Sequence, residues 1–157
     1  MPNHPHWPLV RYRGVVRLPA DLDPAAVMED LFAVNGWVGS WRNGIYDWLH
    51  YHSRVHEVLG VAVGEAQVRF GGSRGRTLRL KAGDVVILPA GTGHQCLSAS
   101  DDFLVVGAYS KTGKYDECRP RRRDHDRAAK TVGRVPLPRK DPVYGARGPL
   151  MKLWRRA

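Results

Sequence analysis

The sequence predicts an all-β protein, in which short strands form a sandwich or barrel. Between Trp37 and Tyr109, short apolar and β-branched segments alternate with turns of glycine, proline and small polar residues, a spacing typical of all-β folds. The 17 glycines and 11 prolines are many for a helical protein and ordinary for a turn-rich β protein. The length of 157 residues suits one domain with a sizeable core.

An edge strand and a helix are predicted before this β-rich part. Residues 9–18 mix β-branched and basic residues in rough alternation, which indicates an edge strand. Asp23 and Pro24 supply an N-cap and a first helical residue, apolar residues then recur at helical spacing, and Gly36 ends the helix. We expect this helix to cover one side of the sheet.

Seven strands are predicted next, with turn residues in the gaps between them. They span residues 44–52, 57–63, 66–70, 77–81, 84–88, 94–97 and 103–109. A second helix is predicted at 121–132, with Gly133 as its end. The tail that follows carries many large apolar residues, so it should pack on the barrel or on a partner subunit. The single domain, 1–157, is therefore divided into an N-terminal strand and helix (1–36), a barrel core (37–110) and a C-terminal helix and wrapping tail (111–157).

The net charge of +10 raises the question of nucleic-acid binding. Much of the positive charge lies after residue 110, and the run Arg121-Arg122-Arg123 has acidic residues on both sides. Since no nucleic-acid-binding module and no pattern of alternating basic and aromatic residues accompanies it, a solvated helix face with local ion pairs is the preferred interpretation.

The cysteines and the N-terminus bear on the cellular compartment. Cys96 and Cys118 cannot form a disulfide framework and fit a reducing compartment. The N-terminus lacks the apolar run of a secretory signal, and no stretch has the apolar length needed to cross a bilayer. These features predict a cytoplasmic protein with no membrane contact.

Histidine and glutamate residues in the central stretch form the candidate chemical site. They are His50, His52, Glu57 and His94. Three imidazoles and one carboxylate, brought together by a β-rich segment, are a plausible set of ligands for a divalent transition metal.

Strand parity leaves the carboxylate ligand open. Alternate residues of a strand share a face, so His50 and His52 point the same way. Glu57 joins that face only if the chain turns or bulges at residues 53–56. His56 has the even spacing and would join it if the strand continued unbroken.

Two spaced motifs carry a resemblance to a known family. The first is Gly44-x5-His50-x-His52-x4-Glu57-x6-Gly64, and the second is Gly83-x5-Pro89-x-Gly91-x2-His94. Together they resemble the two cupin motifs position by position. Further strings resemble the YjlB-type group of small single-domain bacterial cupins over most of the chain: NGWVGSWRNGIYDWLHYHS, HEVLGVAVGEA, AGDVVILPAGTGH, DFLVVGAYS and DPVYG.

The resemblance implies a double-stranded β-helix (jelly-roll) cupin barrel, with the short N-terminal helix, the C-terminal helix and the tail packed on its outside. It also implies that one divalent metal ion (Fe, Mn, Ni, Co or Zn) is held inside by His50, His52, Glu57 and His94. In cupins with this spacing the glutamate is the ligand, which implies a turn before Glu57. His56 is then expected behind the ligands or at the rim of the cavity.

Six further residues are candidates to line the cavity or to lie behind the ligands. They are Tyr46, Trp48, His56, Cys96, Ser98 and Tyr109. Strand parity places Cys96 and Ser98 on the face of His94. Ser98 stands where the second cupin motif usually ends in asparagine, so a local change in the site is expected. Three arginines could favour an anionic substrate: Arg42, Arg54 and Arg69.

The resemblance implies a fold and a metal site rather than a reaction. With up to two open positions on the metal, the site could act on a small oxygenated metabolite as a dioxygenase-like or Lewis-acid, isomerase-like catalyst. The alternative is a non-catalytic module that binds a small molecule beside a structural or ligand-anchoring metal. A basic protein that binds nucleic acid or another partner is a third and weaker hypothesis. No catalytic residue is assigned, and a homodimer is expected because the apolar tail needs cover.

Overall fold

Antiparallel strands dominate the structure, a computed structural model that describes residues 3–110 and 114–155. Eight strands are assigned within these residues: β1 (Val10–Tyr12), β2 (Val38–Asn43), β3 (Glu57–Val63), β4 (Glu65–Phe70), β5 (Arg76–Lys81), β6 (Val85–Leu88), β7 (His94–Ala99) and β8 (Leu104–Tyr109). They pair in two sheets, one with the order β1-β6-β3-β8-β2 and one with the order β5-β4-β7. Every strand pairing is antiparallel.

A hydrophobic core lies between the two sheets. Leu59 and Val86 of the larger sheet and Val68 and Leu80 of the smaller sheet belong to one buried cluster. A second buried cluster lies on the other face of the larger sheet, where helical and tail residues cover it. Burial on both faces explains why β3 and β6 are almost continuously apolar. The prediction of an all-β, double-sheet jelly-roll barrel is confirmed.

The helix α1 (Pro24–Val34) begins and packs as the sequence predicts. The Asp23 carboxylate accepts the Ala25 N–H at 3.0 Å, and Pro24 occupies the first helical position. Met28 and Phe32 are fully buried against the larger sheet. A Cβ on Gly60 of β3 would lie 2.8 Å from both the Met28 sulfur and a Phe32 ring carbon, so the close approach of helix to sheet requires glycine there.

The predicted strand 44–52 is wrong, because the strand in this region is β2. Its sequence, VGSWRN, has little intrinsic strand preference, and pairing with β8 stabilises it. A Cβ on Gly107 of β8 would lie 2.2 Å from the Trp41 ring, so this pairing depends on a glycine in the partner strand. Residues 44–52 hold only two isolated bridges, at His50 and Tyr51.

The predicted edge strand 9–18 has the right place but is too long. Strand β1 covers three residues at the edge of the larger sheet. The chain then turns at Gly14, whose φ is 53° and whose N–H donates to the buried Asp84 carboxylate at 2.7 Å. The other predicted strands agree closely with β3 to β8.

The C-terminal region folds onto the barrel of its own chain. It forms α2 (Arg122–Thr131), a 3-10 turn (Val132–Arg134) that contains the predicted stop Gly133, and α3 (Pro149–Leu153), which the sequence does not predict. Leu150 and Trp154 are buried in the cluster that includes α1 and the larger sheet. The tail thus needs no partner subunit to cover it, and the homodimer stays a prediction. Residue 111, where the C-terminal region is predicted to begin, lies outside the described residues.

One buried carboxylate organises this tail. Asp141 is fully buried and accepts hydrogen bonds from the N–H groups of Val143 (2.8 Å), Tyr144 (3.1 Å) and Leu150 (3.2 Å), and from the Tyr12 hydroxyl of β1. It therefore ties the tail to the edge of the larger sheet. None of the helices described here is long and apolar enough to span a bilayer.

Candidate metal centre

Three imidazoles meet inside the barrel. His94 begins β7, and its backbone forms an isolated bridge with His50, with N–H to carbonyl distances of 3.2 and 2.9 Å. His52 follows two residues later, and all three side chains are buried. One ring nitrogen of each histidine lies within 4.8 Å of the others. The predicted grouping of these three residues is therefore present, although His50 and His52 do not lie in a regular strand.

Backbone carbonyls set the orientation of all three rings. The Nδ1 atoms of His50, His52 and His94 lie 3.1, 2.5 and 3.0 Å from the carbonyl oxygens of residues 48, 116 and 92, respectively. A carbonyl can only accept, so each Nδ1 carries the proton and donates it. In the neutral imidazole this leaves the lone pair on Nε2, the form in which histidine binds a metal.

Glu57 supplies a carboxylate beside two of these nitrogens. Its Oε2 lies 3.3 Å from His52 Nε2 and 3.4 Å from His94 Nε2. The side chain is nearly inaccessible, and this oxygen has no hydrogen bond of good geometry within the described chain. A buried, unsatisfied carboxylate oxygen is unfavourable, and a cation bound among the imidazoles would satisfy it. The donor set of three nitrogens and one oxygen therefore fits a divalent transition metal.

Electrostatics couple His52 to Glu57. Burial lowers the pKa of His50 to about 3, and the neighbouring His94 adds to this effect, so His50 is neutral at physiological pH. Burial acts on His52 in the same direction, but the Glu57 carboxylate outweighs it and raises the pKa of His52 to about 9. Burial also acts to raise the pKa of Glu57, yet the His52 imidazolium holds it well below its usual range. At neutral pH the metal-free site thus contains a buried ion pair, and metal binding requires loss of the His52 proton.

A segment from far along the chain holds His52 in place. The Asp116 carbonyl accepts the His52 Nδ1–H, while the Asp116 carboxylate accepts the Ser53 N–H at 2.8 Å and the Ser53 hydroxyl. Backbone hydrogen bonds between Tyr51 and Cys118, at 3.0 and 2.8 Å, fix the same segment. Sequence reasoning misses Asp116, because it lies 64 residues after His52 and belongs to neither motif.

His56 lies on the other side of β3 from the cavity and does not line it, so the rim position, one of the two expected for it, is wrong. It is fully buried, its Nδ1 accepts the Ala90 N–H at 2.9 Å, and its ring packs against Trp154 and Trp7 at 5.0 and 5.5 Å between centroids. Strand β3 begins at Glu57, and adjacent residues of an extended chain point to opposite sides. The break at residues 53–56 thus turns Glu57 inward and His56 outward.

The cavity above the imidazoles has a volume of about 190 Å³. Of the predicted cavity residues, Tyr46 and Tyr109 line it, together with the four proposed ligands. Trp48 does not line the cavity. Its ring stacks behind the Tyr46 ring, with 4.1 Å between ring centroids, and the Arg119 Cζ atom lies 4.8 Å from its ring centroid. Sequence reasoning misses several lining residues, which come from β2, from the residues just after β2 and from the segment after β8: Trp41, Asn43, Ile45, Tyr115 and Glu117.

Cys96 and Ser98 are also outside the cavity lining. Cys96 packs in the core cluster between the sheets, and Ser98 is exposed on the outer surface of the smaller sheet. The pairing of β7 with β4 shifts between these two residues, since Cys96 is opposite Val68 and Ser98 opposite Gln67. This β-bulge breaks the alternation on which the prediction depends.

Comparison with known proteins places the chain in a family. A cupin domain family model matches residues 41–106. An uncharacterized protein, YjlB of Bacillus subtilis (strain 168), is 38% identical over 154 residues, which cover 98% of this chain and 90% of that protein.

Several solved structures are more distantly similar to the chain. Acireductone dioxygenase from Bacillus anthracis, with a cadmium ion in its active centre, is 17% identical with a TM-score of 0.43 and matches over 64% of this chain and 76% of that one. A variant of Bacillus subtilis oxalate decarboxylase is 28% identical with a TM-score of 0.44, over 59% of this chain and 26% of that one. These similarities are too distant to say anything about the reaction. The family model and the near full-length relative together show that the chain belongs to the cupins, as a YjlB-type bacterial cupin.

Proposed function

We propose that this cupin binds one divalent transition metal through His50, His52, Glu57 and His94, and that the metal centre acts on or binds a small oxygenated molecule. The observation that carries this proposal is the orientation of the three rings. Each Nδ1 donates to a backbone carbonyl, so the three Nε2 atoms are left to bind a metal, beside a buried carboxylate oxygen that has no hydrogen bond of good geometry. In a purely structural cluster that oxygen would stay buried beside the His52 imidazolium without a hydrogen bond of good geometry.

The chain's own residues prepare this site in three ways. The barrel buries the ligands, which excludes bulk water and strengthens electrostatic interactions inside the site. The backbone carbonyls hold the rings, so little reorganisation is needed on binding. The cavity above them leaves room for a ligand. A bound transition metal would supply Lewis acidity or activation of dioxygen there.

Metal binding without catalysis is the alternative, and one observation favours it. Among the described lining residues outside the ligand set, the only carboxylate is that of Glu117, which is exposed. Tyr109 is a poor base, because burial raises its pKa and its hydroxyl already accepts the Trp41 indole N–H at 3.0 Å. A ligand-anchoring role therefore remains the second candidate function.

Metal analysis tests the shared part of both candidates. Protein purified without a metal-chelating column should contain, or take up, about one transition-metal ion per chain. His52→Ala should lose that ion, whereas His125→Ala, which removes an exposed histidine on α2, should keep it. Wild-type protein that cannot be loaded with any transition metal would refute the proposal. Oxygen uptake and product analysis across diols, diketones and thiols would then separate a catalyst from a binding module.

A further inference from the structure

We infer that the cavity takes a molecule of at most one negative charge that carries a single aromatic ring and chelates with two oxygens. This inference rests on the proposed metal site and adds the class of ligand. It is argued from three properties of the lining: its charge, its exposed aromatic rings and its size.

The lining offers no unpaired cation to an anionic ligand. Arg42 is the only Lys or Arg among the described lining residues, and its guanidinium is already engaged, with NH1 2.9 Å from Asp23 and Nε 2.8 Å from Glu29. Arg54 and Arg69 do not line the cavity, which removes the basis for the anionic substrate that the sequence suggests. A divalent metal with the Glu57 carboxylate leaves one net positive charge, and Glu117 adds a negative charge at the lining. A doubly charged anion would find no free arginine in the lining to bind it through two parallel hydrogen bonds, as arginine often binds carboxylates and phosphates.

Two exposed tyrosines lie at the cavity, each beside a different metal-ligating histidine. Tyr46 is 42% exposed, and its ring lies 5.1 Å from the His50 ring; Tyr115 is 52% exposed, and its ring lies 5.5 Å from the His52 ring. Each is backed by a second aromatic ring, Tyr46 by Trp48 at 4.1 Å and Tyr115 by Tyr109 at 4.8 Å. The stacking restrains both exposed rings next to the place where a chelating ligand would sit. Exposed apolar groups grouped around a concave site are typical of ligand recognition.

The cavity has room for one small ring beside the proposed metal. Its volume of about 190 Å³ is small for a ligand pocket. One six-membered ring with its oxygen substituents fits such a space. The two oxygens would take the two open positions of an octahedral shell, and the ring would contact Tyr46 and Tyr115 by stacking or edge-to-face packing.

Two hydroxamates distinguish the contribution of the aromatic ring to binding from that of the chelating group. Benzohydroxamate and acetohydroxamate share the same bidentate group and charge, and only the first has an aromatic ring. With zinc-loaded protein, calorimetry should show benzohydroxamate binding at least about tenfold more tightly. Tyr46→Leu and Tyr115→Leu should each reduce that preference by about 2- to 10-fold, since each removes one aromatic contact.

Tyr144→Leu is the matched control. Tyr144 is 53% exposed and also packs edge-to-face on another tyrosine, but it does not line the cavity, so its loss should leave the preference unchanged. Oxalate should bind more weakly than benzohydroxamate and be unaffected by either cavity variant. Equal affinity for the two hydroxamates, or no binding of either to protein shown to hold zinc, would overturn this inference and leave the metal site intact. Failure to bind zinc would instead refute the proposed function itself.

Discussion

Metal binding should release one proton from His52, and Glu57→Gln should reduce that release near pH 8. Since the pKa of His52 in the metal-free protein is raised to about 9, the protonated form dominates below that pH. At pH 7 displacement of the proton should weaken metal binding about 100-fold relative to the deprotonated site. The apparent affinity should therefore rise about tenfold per pH unit from pH 7 to pH 9 and then level off.

Glu57→Gln removes the charge that stabilises the imidazolium. Burial, the largest influence on His52, then lowers its pKa against only the smaller opposing effect of Asp116, so the pKa of His52 should fall below its wild-type value. At pH 8 the wild-type protein should release about 0.9 proton per metal bound and the variant clearly fewer. His50 contributes to neither value, because its pKa of about 3 keeps it neutral.

Calorimetry in two buffers of different ionisation enthalpy measures the released protons at saturating metal. The count does not depend on the affinity, so loss of the Glu57 oxygen as a ligand does not obscure it. The control variant is His125→Ala, because His125 is exposed on α2. It should release as many protons as the wild type. Wild-type protein that releases no proton at pH 8, or a Glu57→Gln variant that releases as many as wild type, would refute the coupling of His52 to Glu57.

Three further changes test the supports of the site and of the tail. Asp116→Ala should weaken metal binding about 10- to 100-fold, because loss of the carboxylate that binds Ser53 leaves the backbone carbonyl that orients His52 less firmly placed. Asp116→Asn should restore part of the affinity, and equal metal affinity in the wild type and both variants would contradict this positioning role of Asp116. His56→Ala should retain one metal per chain while lowering the free energy of unfolding, measured in urea, by about 2 kcal/mol or more. Loss of the metal would contradict the placement of His56 away from the metal ligands. Asp141→Ala should leave three backbone N–H groups without their acceptor, cost about 3 kcal/mol or more and make the tail sensitive to limited proteolysis; an unchanged urea midpoint would disprove this.

Much of the fold could be predicted because its signals are local. Asp23-Pro24 begins α1 through a cap and a fixed backbone angle, both properties of neighbouring residues. Glycine turns separate β3 to β7 in the same way, and a polar turn at residues 100–102 separates β7 from β8. Strand β2 could not be predicted, because VGSWRN becomes a strand through pairing with β8, where Gly107 admits the Trp41 indole.

The candidate site also has features that local sequence determines and features that only the tertiary structure decides. The sequence by itself determined the family, the grouping of His50, His52 and His94 and, through the cupin spacing, Glu57. Only the tertiary structure decided which nitrogens face the cavity, since the orienting Asp116 carbonyl arrives from 64 residues away. It also decided that Ser98 faces outward, because a bulge shifts the register against β4, and that Arg42 is neutralised by carboxylates of the α1 region. Local patterns record the preferences of a residue and its neighbours, whereas these outcomes depend on strand pairings and ion pairs between segments that are distant in the chain.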